Sequence, residues 1–454
     1  MEAPNKVLGL ACYLCSIVAV LLALRSDRYA ILLALAVLLA SPYAIFWALG
    51  GLETPILMAF VALFSALVYR ARAHRAHARW DVLPACVVAG LAFVTRYDSI
   101  LYLAPGLLAI MLRCRIRAAL ACGAAAAAIP LAWLTFAHWY YGDILPTSFY
   151  VKARVPIWWK QVNNLAYMFE FYIFSGIALL HVVLGMLVAQ GRGRRAVVSG
   201  HFAELWWAYV GCLLVLAYGL WTATTHMMYS FRLLVPYLPV LALTLGDLVQ
   251  RQRGQETEGA PVGGVPVGRA IAATAGLVFM LQAVNFTQIW WNNLSGARNS
   301  EFRATHVREM SEFVTMYGRA AGAIEEHWST QAGRNARQPR LNTFAAGLLP
   351  FLLDDVYVYE PLISYRHGFR LTNDELKLCS DYICVLTPFK GSVDEQLPGR
   401  ARQWVPIFEA KSRLDGRLET YLVFFNKAPQ VHILTARVDG EPGGAMPELW
   451  ARGR

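Results

Sequence analysis

Ten apolar stretches alternate with polar connections over the first 290 residues, at roughly 7–24, 29–50, 53–69, 81–95, 99–112, 118–140, 162–190, 204–224, 231–249 and 270–290. The basic residues fall in alternate connections: Arg25/Arg28, Arg70 through Arg79, Arg113/Arg115/Arg117, Arg192/Arg194/Arg195, and Arg251 to Arg269. Lys and Arg mark the cytoplasmic ends of membrane spans, so this alternation predicts helices crossing a membrane with those five connections inside. The intervening connections hold Gly51-Leu52-Glu53-Thr54, Arg96-Tyr97-Asp98, Tyr140 to Lys152, and His226 to Arg232. The pattern predicts a polytopic α-helical membrane protein of about ten spans whose unusual polar motifs all face outward.

Two stretches, 81–95 and 99–112, are shorter than the ~20 residues a bilayer core requires. They flank Arg96-Tyr97-Asp98-Ser99, which predicts two helices meeting at a polar elbow. The run Cys122-Gly-Ala-Ala-Ala-Ala-Ala128 reads as a small-residue face for close helix packing. Residues 250–269, rich in Gly, Gln and Pro, read as a cytoplasmic linker before the last span.

Past Trp290-Trp291 the composition turns polar. Residues 303–328 fit an amphipathic helix with Val307, Met310, Phe313, Val314 and Tyr317 on one face. Short alternating runs at 340–345, 355–359, 381–386, 403–409, 418–425 and 430–435 read as strands, with helical stretches near 346–352 and 373–380. The expected organisation is a multi-span region at 1–290, an extracytoplasmic α/β domain at 291–438 and a loose Gly/Pro-rich tail at 439–454.

Composition sharpens this picture. The chain is 57% hydrophobic and 16% charged, outside the range of soluble globular domains. Its net charge of +11 is unevenly spread: residues 1–290 hold 21 Lys/Arg against 11 Asp/Glu, and residues 291–454 hold 20 against 19. The surplus therefore belongs to the cytoplasmic loops and anionic lipid headgroups, and excludes nucleic acid as the partner. Six of eight cysteines lie in or beside apolar stretches, where they act as small hydrophobes. Cys379 and Cys384 lie in the outer domain, either as a disulfide or as two unpaired thiols.

Ten spans and an outer carboxyl-terminal domain would place Met1 outside as well, yet no basic n-region precedes the first apolar stretch. The parity implies that an upstream span is missing or that the first stretch does not cross.

The outward motifs carry the candidate chemistry. Glu53 opens an apolar stretch, where a helix dipole alone would favour it and where it could also line a cavity. Arg96 and Asp98 suit an elbow-stabilising ion pair or an anion contact. Residues 138–154 are the most specific stretch: Trp139, Tyr140 and Tyr141 suit an interfacial belt, while Asp143, Thr147, Ser148 and Lys152 set a turn, hydroxyls and a cation above the membrane. His226 and Arg232 join two stretches, and Arg suits a pair of phosphate oxygens.

Taken together, Gly51-Leu52-Glu53-Thr54-Pro55, Thr95-Arg96-Tyr97-Asp98, Tyr140-Tyr141-Gly142-Asp143-Ile144-Leu145-Pro146-Thr147 and Arg232-Leu-Leu-Val-Pro236 resemble the polyprenyl-phosphate-dependent glycosyltransferases of the GT-C type. The resemblance is closest to the mycobacterial terminal β-(1→2)-arabinofuranosyltransferases and their bacterial relatives. It covers most of residues 1–290, and continues at Ala345-Ala-Gly-Leu-Leu-Pro350 with Asp354-Asp355. Two departures stand out: the family usually has Pro where Tyr97 stands, and Asn-Thr where Thr147-Ser148 stand.

The resemblance implies a GT-C-like fold in the bacterial cytoplasmic membrane, moving a sugar from a polyprenyl-phosphate donor to an envelope glycan outside. It implies phosphate or substrate binding by Arg96, Lys152, His226, Arg232, Tyr141 and Thr147. Asp98, Glu53 and Asp143 would order sugar or acceptor. The family's first helix and first outer loop, which carries the acidic residues credited with catalysis, have no counterpart in this sequence, so the chain as given would be truncated and short of its base. A divalent cation could neutralise phosphate, although no metal-ligand cluster is legible. Two other classes compete: a transporter or flippase of envelope lipids, which would need paired broken helices and midplane charges, and a non-catalytic scaffold whose outer domain binds an envelope partner.

Overall fold

The computed structural model describes residues 2–24, 27–50, 53–73, 79–141, 144, 157–175, 178–179, 182, 194–221, 231–257, 267–295, 307–330, 339–343, 353, 357–359, 377, 380–387, 397, 403–414 and 417–427. The chain divides into two compact units, one mainly from Met1–Ile144 and Val155–Trp291, the other mainly from Thr305–Arg454.

The first unit is helical: α1 (Glu2–Ala23), α2 (Arg28–Leu39), α3 (Pro42–Gly50), α4 (Glu53–Ala73), α5 (Arg79–Thr95), α6 (Ile100–Met111), α7 (Ile116–Tyr141), α8 (Ile157–Phe174), α9 (Arg194–Trp221), α10 (Leu238–Thr257) and α11 (Val267–Ser295). Local chemistry sets several of these ends. Asp27 caps α2 by accepting from the backbone N–H groups of Tyr29 and Ala30. Glu53 opens α4, where the dipole favours it, and Arg70 and Arg72 lie in the last turn.

Among the described residues, five helices are long and apolar enough to cross a membrane: Pro4–Ala23, Glu53–Arg72, Ile116–Tyr140, Val197–Leu220 and Ala270–Gln288. A sixth span results if α2 and α3, bent by 58° at Pro42, are taken as one broken helix. This corrects the expectation of about ten. The stretches at 81–95 and 99–112 form helices that stop at the elbow. The second, α6, has 12 residues, or about 18 Å against the ~30 Å of a bilayer core. Lys160, Asn163, Asn164 and Glu170 make α8 too polar, and α10 starts only at Leu238 and turns polar after Asp247.

One apolar core runs through the bundle. Phe64 meets Tyr102 and Trp207 edge-on, each at 6.3 Å between ring centroids. Gly106 and Gly211 permit this closeness: a Cβ on Gly211 would lie 2.6 Å from the Tyr102 ring and 3.0 Å from its carbonyl oxygen. In the small-residue run of α7, Cys122 is buried and Ala125 and Ala126 pack on the core. Further along α7, Ile129 and Pro130 lie close against Gly90 of α5. Leu8, Leu14, Leu120, Leu131, Phe279 and Val284 point outward on the long apolar helices. An exposed apolar belt of this extent suits lipid rather than water.

In the second unit, α12 (Val307–Ser329) packs on a five-stranded sheet of β1 (Arg340–Asn342), β2 (Tyr357–Tyr359), β3 (Tyr382–Thr387), β4 (Trp404–Leu414) and β5 (Arg417–Asn426). The order is β2-β1-β3-β5-β4, with β1 parallel to β2 and β3, and the remaining pairs antiparallel. Met316, Tyr317, Ala320, Ala321 and Ile324 form the buried stripe of α12, with Tyr317 4.7 Å from Tyr421 between ring centroids. The runs expected at 346–352 and 430–435 and the tail at 439–454 lie outside the described residues. So does Cys379, but Cys384 is a free, buried thiol, and burial pushes it up to about 12.

Candidate functional site

Two Arg–carboxylate pairs converge from distant parts of the sequence. In the first, Arg232 donates from Nη2 to both oxygens of Glu53, at 2.6 and 2.7 Å, across 179 positions. Its guanidinium also lies over the Trp47 ring, 5.5 Å from the centroid. Nε and Nη1 of Arg232 are left to meet something else, since a guanidinium carries five N–H donors.

Arg232 owes its place to the residue before it. Phe231 is, among the described residues, the non-glycine residue with positive φ, at 55°. A left-handed turn costs a bulky residue about 1–2 kcal/mol. Packing holds it there: the Phe231 ring is buried against Tyr43, Tyr167 and Phe171 at 4.7–5.3 Å. The Tyr167 hydroxyl accepts from the Leu233 backbone N–H at 3.1 Å, fixing the far side of the turn. Strain maintained by the surrounding packing is characteristic of residues that aim a functional group.

The second pair lies at the elbow between α5 and α6. Arg96 is extended (φ −153°, ψ 123°), a conformation that a proline at the next position would also favour. Tyr97 instead accepts from the Trp133 indole of α7 at 2.6 Å. Arg96 donates from Nε to Asp98 Oδ1 at 3.1 Å and from Nη2 to Oδ2, a bidentate fork, with side chains only 14% and 11% exposed. The Arg232–Glu53 pair is more open, at 26% and 33%.

The two pairs share one field. Arg96 interacts electrostatically with Asp98, Tyr237 and Glu53, and Tyr167 with both Arg96 and Arg232. Three buried hydroxyls have no hydrogen-bond partner: Tyr237 Oη, and those of Thr54 and Ser99, the sequence neighbours of Glu53 and Asp98. Thus Glu53, Arg96, Asp98 and Arg232 come together. Asp143, Lys152, His226 and Thr147 lie outside the described residues, and of Tyr141 only the backbone at the end of α7 is described. Tyr167, Tyr237, Trp47 and Phe231 were missed because each reads as an ordinary core aromatic. No group of three or more His, Cys, Asp or Glu positioned to hold a metal ion occurs among the described residues.

A second polar cluster lies near the other end of α4, about 24 Å along the helix from Glu53 at 1.5 Å per residue. Asp247 of α10 accepts from Tyr69 of α4 at 2.7 Å and from Arg251 at 2.7 Å, and pairs with His201 Nδ1 of α9 at 2.8 Å. His201 Nε2 meets the Tyr209 hydroxyl at 2.6 Å. Beside it, Arg72 donates to the carbonyls of Ala109 and Ala203, and Glu204 pairs with both Arg72 and Arg113. Every carboxylate here is tied to several protein partners, the signature of a clamp between helices.

No protein-family model, no curated protein and no solved structure matches this chain.

Proposed function

We propose that the chain is a membrane glycosyltransferase of the polyprenyl-phosphate-dependent kind, moving a sugar, with arabinofuranose the candidate the resemblance suggests, to an envelope glycan on the outer side of the bacterial cytoplasmic membrane. The observation that carries the reading is the convergence of Glu53, Arg96, Asp98 and Arg232, four residues of the motifs on which the resemblance rests. Departure of a lipid phosphate builds negative charge on its oxygens, and preset cations stabilise that charge without reorganising. Arg232, with two donor groups uncommitted and partly exposed, is suited to this, with Lys152 and Arg96 assisting. Glu53, Asp98 and Asp143 order the sugar and acceptor hydroxyls. Deprotonation of the acceptor hydroxyl requires a further carboxylate, which the resemblance assigns to the family's first outer loop.

The test is transfer from a synthetic polyprenyl-phosphate arabinose by the detergent-solubilised protein. Arg232→Ala and Lys152→Ala should each lower turnover about a hundredfold, the scale of losing one transition-state donor. Unchanged turnover in both variants would remove the phosphate role.

A further inference from the structure

Every other buried tyrosine among the described residues of the helical unit has a hydrogen-bond partner. Tyr13 donates to the Leu38 carbonyl, Tyr43 accepts from Asn285, Tyr69 donates to Asp247, Tyr102 pairs with Ser65, and Tyr167 accepts from Leu233. Tyr237 does not, although it is only 4% exposed. Its ring leans on Tyr102, 5.4 Å between centroids, and its hydroxyl feels both Asp98 and Arg96. A buried hydroxyl without a partner costs about 1–3 kcal/mol, so its retention calls for a use.

We propose that Tyr237 is a ligand-binding residue, whose hydroxyl donates a hydrogen bond to a phosphate oxygen held beside Arg96. The inference rests on the proposed function, and names a contact that the motifs do not contain. Packing alone cannot account for the hydroxyl, because phenylalanine would fill the same space without the unpaired oxygen. A ligand oxygen supplies the missing acceptor, next to a cation that favours the same anion. Tyr237 therefore stands as a site residue that lowers the stability of the free protein and strengthens the bound state.

The test compares wild type with Tyr237→Phe in the detergent-solubilised full chain, by thermal midpoint and by binding of two probes, a long-chain polyprenyl phosphate and inorganic phosphate. The expected result is a midpoint equal to or above wild type without probe, and binding of the polyprenyl phosphate weakened about tenfold or more, the scale of one hydrogen bond to a charged group. Inorganic phosphate binding weakened to the same degree would assign the contact to the phosphate alone; an effect confined to the polyprenyl phosphate would assign it to the lipid headgroup. Equal binding by wild type and variant overturns the inference but leaves the proposed function standing. A lowered midpoint without probe also overturns it, because the hydroxyl would then have a structural partner. Failure of wild type to bind either probe overturns the proposed function, and this contact with it.

Discussion

Replacing Asp247 by Ala should destabilise the protein more than removing Glu53 from the more open outer pair. The Asp247 side chain is 2% exposed and its carboxylate receives Tyr69, His201 and Arg251. Removing it strands the Tyr69 hydroxyl and the His201 ring in the core, at about 1–3 kcal/mol each. Arg251 is 30% exposed and can turn to water or headgroups, so its loss adds little. The total comes to about 3–5 kcal/mol, the range for breaking a buried ion pair by deleting one partner. Asp247→Asn retains an acceptor oxygen and should lose about half as much. By contrast Glu53→Ala breaks a pair whose members are 26% and 33% exposed, worth about 0–1 kcal/mol. Thermal unfolding of the solubilised protein, followed by tryptophan fluorescence, ranks the three variants. An Asp247→Ala midpoint matching wild type, or a Glu53→Ala midpoint falling further than that of Asp247→Ala, would refute the division into a structural cluster and a functional one.

Three further outcomes follow from particular contacts. Phe231→Gly relieves the left-handed backbone by about 1 kcal/mol but empties an aromatic site worth about 3–5 kcal/mol; the net is a clear loss of stability, and a midpoint at or above wild type would show that packing does not hold the turn. Gly211→Ala drives a methyl group into Tyr102 of α6 and should cost about 1–3 kcal/mol by overpacking, measurable in the same unfolding assay, whereas an unaffected midpoint would deny the close α6–α9 contact. Burial pushes the Cys384 thiol up to about 12, so at pH 7–8 it stays protonated and should resist maleimide until the domain unfolds; rapid labelling of native protein would contradict its burial.

The pattern of apolar stretches was enough to read a helical multi-span unit followed by a small sheet domain, because burial and hydropathy act locally along the chain. Among the described residues it overstated the number of spans for a local reason too: α5 and α6 are short, and the polar residues of α8 and the late, partly polar α10 interrupt runs that read as apolar in outline. At the site, Arg96–Asp98 was legible because the partners are two positions apart. Glu53–Arg232 was not, since nothing in either neighbourhood specifies a partner 179 residues away. Tyr237 and Phe231 were invisible for a different reason: their roles depend on an absent hydrogen bond and a left-handed backbone, which composition and spacing do not encode. The Asp247 clamp was overlooked because its members lie singly within or beside apolar runs, and only folding collects them.

An external glycosyltransferase needs these polar motifs on the outside of the cell, and α7 offers a direct measurement because it spans about 39 Å between an arginine-rich end and the Ile144 end. In a background without native cysteines, Ile144→Cys and Arg115→Cys would each be exposed to a membrane-impermeant maleimide in intact cells, both positions being exposed in the fold. Labelling of Ile144→Cys from outside, with Arg115→Cys labelled only after permeabilisation, is the predicted result. The reverse pattern would place the four converging charges in the cytoplasm and end the reading as an external glycosyltransferase.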